Sequence, residues 1–425
     1  MDRVILALLW LMVFIIPWEE WLTIVAFSTL IRLVGYIAVA MLPLALIVKP
    51  SLRRPPLALC VAGLFVVWCA LSLAWSVAPD RTLGYVFTML QLLTFAWMIW
   101  EFADTHQRQL ALMNAFIMGC IVSMLAIYIE YIREGEISRD VEGRLTSAGM
   151  TGSMNENTMA VLLAMSIPVA VYLAMHPTAR RRGPLQIAYW FYVPFAGIAA
   201  LLTGSRAGAM AVAYAVVLTT IFVGTMVLSG AGRRKAANVL VVATFLISLV
   251  GMGIYIPRVV DPRTLARFEE WSEADTFKSR VDLWQFGYTL WKERPIQGFG
   301  AAGFLAETVN RGRLARIAHN TFIEIAADLG TVGLLIFTSW LVLVGWRVLR
   351  LPWTEMFFWM AVFGAWLFGA LSGDWETSKA TWCFFTLASA QAAMFARARP
   401  ARPPTANAYL GAVRGGSWTM MPRPR

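Results

Sequence analysis

The stretch Arg316-Ile317-Ala318-His319-Asn320-Thr321-Phe322 is the point at which a long polar segment becomes an apolar run. The polar segment begins near residue 257 and is about sixty residues long, and the apolar run continues to about residue 346. Of the three histidines, only His319 lies where a polar loop meets an apolar run beside several arginines. The junction therefore separates a water-exposed part from a membrane-like part, and it is the first candidate site.

The composition indicates a polytopic membrane protein. Of the 425 residues, 59% are hydrophobic and only 14% are charged, whereas a soluble protein of this length would carry far more charge. The net charge of +11 is spread over short clusters between apolar runs, which is typical of membrane orientation signals rather than of nucleic-acid binding. The four cysteines lie in apolar runs without a Cys-x-x-Cys pair, so neither a zinc site nor a disulfide framework is predicted.

The apolar runs predict an all-α fold with about twelve membrane-spanning helices. Each run has about 17–25 largely apolar residues, the length that a bilayer requires of a helix, which satisfies its own backbone groups in lipid. The predicted spans lie at about 1–17, 30–48, 57–76, 83–103, 109–132, 154–175, 187–203, 207–228, 236–256, 320–346, 354–371 and 376–396.

The basic clusters predict the orientation of the chain. They recur in every second connection, and the positive-inside rule makes that side the cytoplasm, with both termini inside. Residues 1–396 are predicted to form the membrane domain, and residues 397–425, rich in proline and arginine, a disordered basic cytoplasmic tail. The clusters are Lys49/Arg53/Arg54, His106/Arg108, residues 180–182, residues 233–235, Arg347/Arg350 and the tail arginines.

Residues 257–319 are predicted to form one large loop on the outer side, and such a length favours a folded functional element. Within it, residues 278–294 have the pattern of an amphipathic helix lying along the outer membrane–water interface, and Pro295 ends it. The apolar residues that recur at helical spacing are Val281, Trp284, Tyr288 and Trp291.

Two arginines on the outer side are candidate ligands for phosphate. Arg206 lies in the tight connection Gly204-Ser205-Arg206-Ala207-Gly208, where small residues allow a close approach of backbone and ligand. It has two interpretations: a side chain that extends to lipid headgroups, or a guanidinium that binds phosphate through two parallel hydrogen bonds. Arg280 opens the amphipathic helix and has the alternative of a local pair with Asp282, and Arg294 is a weaker candidate beside a helix-ending proline.

His319 is the candidate proton acceptor. An imidazole titrates near pH ~6.5, so it can take a proton from a hydroxyl nucleophile at neutral pH. The alternative is a residue with a merely structural role at a helix start, where Asn320 is the predicted cap. Asn320, Glu324 and Asp328 share one helical face, and their carboxylates are expected to face protein or water, either orienting His319 indirectly or pairing with arginines.

Several catalytic motifs are absent from the sequence. It has no GxxxxGK phosphate loop, no GxSxG nucleophile elbow and no HExxH zinc motif. No cytoplasmic Asp-x-Asp indicates nucleotide-sugar and metal binding. What is left is an outer group of arginines with one histidine, which suits a lipid substrate that carries phosphate.

Five motifs occur in order along the chain. They are Asn157-Thr-Met-Ala160, Gly204-Ser-Arg206, Arg280-Val-Asp-Leu-Trp284, Pro295-Ile-Gln-Gly298-Phe-Gly300, and His319-Asn320 followed by Asp328-Leu-Gly330-Thr-Val-Gly333. In this order they resemble the motifs of the bacterial O-antigen ligase and polymerase superfamily. The similarity covers roughly residues 145–345, and although each motif is loose, five in order on the predicted side are fairly specific.

The resemblance implies an inverting glycosyl transfer at the periplasmic face of the bacterial inner membrane, without metal or cofactor. The donor would be a glycan on undecaprenyl diphosphate, and the acceptor a sugar hydroxyl of lipid A-core. Arg206 and Arg280 would hold the diphosphate and His319 would accept the proton of the hydroxyl. The substrate-contacting residues are predicted to be Asn157, Ser205, Arg294, Asn320 and Glu324.

Two other functions are consistent with the sequence. A polymerase of the same superfamily would join lipid-linked repeat units, and the shared motifs do not separate it from a ligase. A transporter of polysaccharide intermediates would have charged sites at the bilayer midplane in paired halves. No paired halves are visible, and the candidate residues cluster on one face, which argues against the transporter. The ligase is favoured over the polymerase because the His319-Asn320 junction and the single large loop late in the chain resemble the ligase branch more.

Overall fold

The computed structural model describes residues 2–21, 52–133, 155–175, 184–228 and 275–398, together with the isolated residues 36, 40 and 43. Within these residues the chain is helical and contains no strand, which confirms the predicted all-α class. Helices are expected because a membrane segment must pair its own N–H and C=O groups.

Twelve α-helices lie in the described part of the chain. Ten of them, all except α8 and α9, coincide with predicted apolar runs. The predicted spans 30–48 and 236–256 fall almost entirely outside the described residues, so the total of about twelve spans stays a prediction. The helices are α1 Asp2–Ile15, α2 Leu57–Leu71, α3 Pro79–Phe102, α4 His106–Arg133, α5 Glu156–Met175, α6 Pro184–Leu202, α7 Arg206–Leu228, α8 Asp275–Glu293, α9 Gly303–Asn310, α10 Thr321–Val348, α11 Trp353–Ala370 and α12 Lys379–Ala398.

Among the described residues, six helices are long and apolar enough to cross a membrane: α2 with its following turn, α3, α4, α5, α7 and α10. The chain is therefore a membrane protein. α8 and α9 lie among the residues 257–319 of the predicted loop, and α8 begins and ends close to the predicted residues 278–294.

α5 forms the centre of the bundle. Every residue from Met159 to Leu173 is buried, as expected of a helix that is apolar on all sides. α6, α7 and α11 pack around it, and α7 and α11 pack closely against each other. Small residues permit this contact, since a Cβ at Gly364 of α11 would lie 1.8 Å from the Tyr214 ring of α7.

One end of the bundle carries Arg53 and Arg108, and the other carries the predicted site residues. At one end the backbone N–H of Arg53 donates to Glu101 at 3.0 Å, and Arg108 pairs with Asp104 at 2.9 Å. These are two of the basic clusters that the orientation rule assigns to the cytoplasm. The opposite end carries residues 203–206, 317–321 and 371–376, and we call it the site end.

Candidate functional site

The site end is organised around a break in α10. At Gly330 the backbone has φ 67° and leaves the helical conformation. The N–H groups of Thr331 and Val332 consequently donate to the carbonyls of Pro295 at 2.8 Å and Ile296 at 3.3 Å instead of to α10 itself. The sequence predicted one uninterrupted span over residues 320–346, and the break was missed.

Residues 295–301, the crossing segment, lie across this break and attach the loop to the bundle. The N–H groups of Phe299 and Gly300 donate to the carbonyls of Ala327 at 3.1 Å and Asp328 at 2.8 Å. A Cβ at Gly298, where φ is 70°, would lie 2.3 Å from the carbonyl oxygen of Asp328. The two glycines of the Pro-x-x-Gly-x-Gly motif therefore have a physical role, which is to let two backbones approach closely.

The other side of the crossing segment contacts the connection between α2 and α3. The carbonyl of Phe299 accepts from Val77 N–H at 3.0 Å, and that of Gln297 accepts from the indole of Trp75 at 3.0 Å. Ala301 N–H donates to Ser72 Oγ at 3.1 Å. The crossing segment is thus fixed between α10 and the connection between α2 and α3, and α8, which directly precedes it, is attached to the bundle through it.

Asp328 stabilises the short helix α9. Its Oδ1 atom accepts from Phe304 N–H at 2.5 Å, and the residue is 4% exposed. A carboxylate at a helix N-terminus is favourable because it satisfies N–H groups that have no partner within the helix. The sequence offered two interpretations of this carboxylate, indirect orientation of His319 or pairing with an arginine. The hydrogen bond observed is instead with the backbone of α9.

His319 lies immediately before the cap of α10 in an unusual backbone conformation. Its φ is 52°, in the left-handed region, which is uncommon for residues other than glycine. Asn320 follows in extended conformation, and its side-chain oxygen accepts from Phe322 N–H at 3.0 Å and Ile323 N–H at 3.2 Å. The predicted cap is confirmed, and Asn320 is 7% exposed.

The residue before His319 is held from two directions. Glu324 Oε2 accepts from Ala318 N–H at 2.9 Å, and the Trp284 indole of α8 donates to the Ala318 carbonyl at 3.1 Å. Ala318 is fully buried. Glu324 was predicted to contact substrate, whereas the structure shows it positioning the backbone next to His319. Trp284 lies one helical turn after Arg280. α8 therefore connects that arginine to residues 317–319, which we call the histidine loop.

Two carboxyl groups of the connection between α11 and α12, those of Asp374 and Glu376, lie near Glu324. Thr321 Oγ1 donates to the Gly373 carbonyl at 2.8 Å and accepts from Trp375 N–H at 2.8 Å, which fixes the connection against α10. Burial raises the pKa of Asp374, whose carboxyl contacts that of Glu324. Burial and the nearby charge of Asp374 raise the pKa of Glu376 well above its usual range.

The proximity of Asp374 and Glu376 to Glu324 was not predicted from the sequence. The available signal was that two acids lie in a short connection between apolar runs, where charge is costly and tends to be functional. Their partner Glu324 is about fifty residues earlier in the chain, and nothing in the spacing predicts which acid meets which.

A second set of predicted site residues, Asn157, Ser205 and Arg206, lies where α5 and α7 begin. Ser205 Oγ donates to Asn157 Oδ1 at 2.7 Å and accepts from Gly208 N–H at 3.0 Å. A Cβ at Gly208 would lie 2.2 Å from that of Ala160, so α5 and α7 are in close contact here. Arg206 is the first residue of α7 and is half-buried. The predicted residues Asn157 and Ser205 are thus brought together from 48 positions apart.

α7 packs on α11, and the rings of Tyr214 on α7 and Phe368 on α11 are 5.9 Å apart. The connection that follows α11 in turn contacts Thr321 at the start of α10. Arg280 is half-buried on α8. The remaining predicted residue, Arg294, stacks over the Phe299 ring at 4.5 Å, on the crossing segment.

Comparison with known proteins agrees with the resemblance. Residues 191–338 match the O-antigen ligase family, and this part contains Arg206, Arg280 and His319. The chain is 21% identical over 286 residues to a protein of Rickettsia felis that is described as a candidate polysaccharide ligase, and 23% identical over 287 residues to one of Rickettsia prowazekii with the same description. Each alignment covers 64% of this chain and 64% of the relative.

Proposed function

From the match to the O-antigen ligase family we propose that this protein transfers a polysaccharide from undecaprenyl diphosphate to a sugar hydroxyl of lipid A-core, with inversion, at the periplasmic face of the inner membrane. The observation that carries the proposal is that the family match contains Arg206, Arg280 and His319. It is supported by the packing of α8, which bears Arg280, on α10, which begins just after His319.

The proposed donor site combines Arg206 with the start of α7. The N-terminus of a helix carries partial positive charge and is a favourable place for phosphate. A guanidinium adds planar, two-point hydrogen bonding, and Arg280 supplies a second positive charge from α8. These groups would stabilise the negative charge that grows on the diphosphate as its bond to the anomeric carbon breaks, which is a large contribution in a partly dry site.

In the proposed reaction the acceptor hydroxyl attacks the anomeric carbon from the face opposite the diphosphate. A new carbon–oxygen bond forms, the bond to undecaprenyl diphosphate breaks, and the hydroxyl proton passes to the imidazole of His319. The contacts of Ala318 with Glu324 and Trp284 support this role, because a base must be held within hydrogen-bond reach of the proton that it takes.

Replacing Arg206 with Lys tests the donor site. Lysine retains the charge but loses the planar pair of N–H groups, so transfer should fall about 10- to 100-fold if Arg206 binds the diphosphate. The measurement is the rate of glycan transfer by purified protein. Arg108→Lys is the matched control, because Arg108 forms a partly exposed ion pair at the opposite end of the bundle. Near wild-type transfer by Arg206→Lys would favour a headgroup contact instead.

The function itself is tested by mass spectrometry of glycolipids from cells with and without this chain. For a ligase, deletion should leave polymer attached to the lipid diphosphate and remove it from lipid A-core. For a polymerase, only single repeat units should reach the acceptor. Identical glycolipid profiles in the two strains would contradict both functions.

A further inference from the structure

A polar cleft of about 530 Å³ lies beside α8, on a face that the proposed reaction does not use. The opposite face of α8 packs on α10, where Trp284 contacts Ala318 and a Cβ at Gly287 would lie 2.5 Å from Ile323. The cleft is lined by Asp282, Gln285, Phe286, Thr289, Arg311 and Arg313. Its volume is within the range of about 300–1,000 Å³ that is typical of ligand sites.

One wall of the cleft is a row of polar side chains on α8. Asp282, Gln285 and Thr289 are spaced by three and four positions, so they share one helical face, and all three are exposed. Together they offer a carboxylate, an amide and a hydroxyl. The row therefore presents both hydrogen-bond donors and acceptors to a ligand.

The opposite wall is held rigidly by ion pairs and stacking. Arg311 donates to both carboxylate oxygens of Glu293, at 2.8 and 2.6 Å, and to Glu307 at 2.9 Å. Arg313 stacks over the Phe286 ring at 4.6 Å, and Phe286 in turn packs edge-on against Phe304 at 5.5 Å. A site with walls fixed in advance loses little entropy when it binds a ligand.

The cleft carries no excess of positive charge. The carboxylates of Glu293 and Glu307 more than compensate Arg311, and the charge of Asp282 opposes that of Arg313. Arg311 uses three of the five N–H groups of a guanidinium within the described part of the chain, which leaves donors for a ligand. A phosphate or an anionic headgroup would need uncompensated positive charge, whereas a polyhydroxyl ligand suits an equal mixture of donors and acceptors.

We propose that this cleft is a saccharide subsite that holds sugar residues of the glycan donor or of the acceptor at a distance from the reacting bond. The inference rests on the proposed function for the identity of the glycan. The cleft lies on α8, the helix that also carries Arg280, a proposed ligand of the diphosphate. Binding of a sugar in the cleft would therefore increase the affinity of the protein for an extended saccharide.

Direct binding tests the subsite without any transfer reaction. The probe is the free oligosaccharide released by mild acid from lipid-linked glycan, added to the full chain in lipid nanodiscs. Gln285→Ala combined with Thr289→Ala should raise its dissociation constant about tenfold, the factor expected for two neutral hydrogen bonds. Both residues are exposed, and alanine favours helix, so folding should be retained.

Lys292→Ala is the matched control, because Lys292 stacks on Tyr288 of the same helix outside the cleft. Its dissociation constant should stay within about twofold of wild type, a difference of less than about 0.5 kcal/mol. Equal affinity of the wild type and the double variant, or no binding by the wild type, would overturn the subsite.

Transfer assays identify the source of the sugar. If the donor occupies the cleft, the double variant should reduce kcat/KM for long-chain donors relative to single-repeat donors by about tenfold. If the acceptor core occupies the cleft, the double variant should instead reduce kcat/KM for full acceptors relative to truncated acceptors. No transfer by the wild type would contradict the proposed function, while the binding assay would still decide the subsite. Transfer with both ratios unchanged would contradict the subsite alone.

Discussion

His319→Asn is expected to reduce the rate of glycan transfer by about 10²–10⁴-fold, the usual contribution of a positioned general base. Asparagine is chosen because it tolerates the left-handed backbone that His319 adopts at φ 52°. A loss of activity therefore cannot be attributed to backbone strain. The measurements are single-turnover transfer and thermal unfolding of the purified protein, and the unfolding temperature should change little.

A role for His319 in structure alone predicts a different pattern. His319→Gln, which keeps a similar length, would then retain transfer, and any loss would follow the unfolding temperature. A role as base predicts that binding of the lipid-linked donor persists in both variants while the chemical step is slow. Transfer at near wild-type rate by either variant would remove His319 from the mechanism.

Much of the architecture follows from local properties of the sequence. Apolar runs of spanning length correspond to helices because the hydrophobic requirement acts on each segment separately. The Asn320 cap could be predicted for the same reason, since a cap depends on the residues immediately around it. The basic residues Arg53 and Arg108 lie at the end of the bundle opposite the site end, as their alternation predicted.

The features of the site that escaped prediction depend on contacts between distant segments. The contact of Glu324 with Ala318 N–H could not be predicted, because the sequence indicates only the helical face of Glu324 and the contact depends on the path of the preceding loop. Asp374 contacts Glu324 only because Thr321 fixes the connection between α11 and α12. Helical periodicity contains no information about such pairings.

The broken helix shows the same limit. Gly330 lies in an apolar run that periodicity describes as one helix, and the break exists because the crossing segment supplies replacement hydrogen bonds. The motif containing Gly330 is present in the sequence, but the sequence does not explain why the motif requires a glycine. The explanation is that the backbone of Ile296, over thirty residues earlier, lies against this position. The structure therefore shows why this position of the motif requires glycine.

Gly330→Ala is expected to destabilise the protein by about 3 kcal/mol or more. The conformation of Gly330, with φ 67° and ψ −171°, is essentially restricted to glycine and costs a residue with a Cβ about 1–3 kcal/mol. The added Cβ would also lie 2.1 Å from the carbonyl oxygen of Ile296, a backbone atom that the hydrogen bond from Val332 holds in place. Overlap with fixed backbone is among the mechanisms that give large effects of single substitutions. Thermal unfolding of the detergent-solubilised protein measures the change.

Gly345→Ala is the matched control for this prediction, because Gly345 lies in the same helix and a Cβ there would meet nothing within 4 Å. Alanine at an open helical position is expected to stabilise by about 0.5–1 kcal/mol, so the two variants should move the unfolding temperature in opposite directions. At a temperature where Gly330→Ala is still folded, its transfer should remain reduced, because the crossing segment holds α8 and therefore Trp284 against Ala318. A folded Gly330→Ala protein with wild-type transfer would show that this attachment is not needed to position the histidine loop.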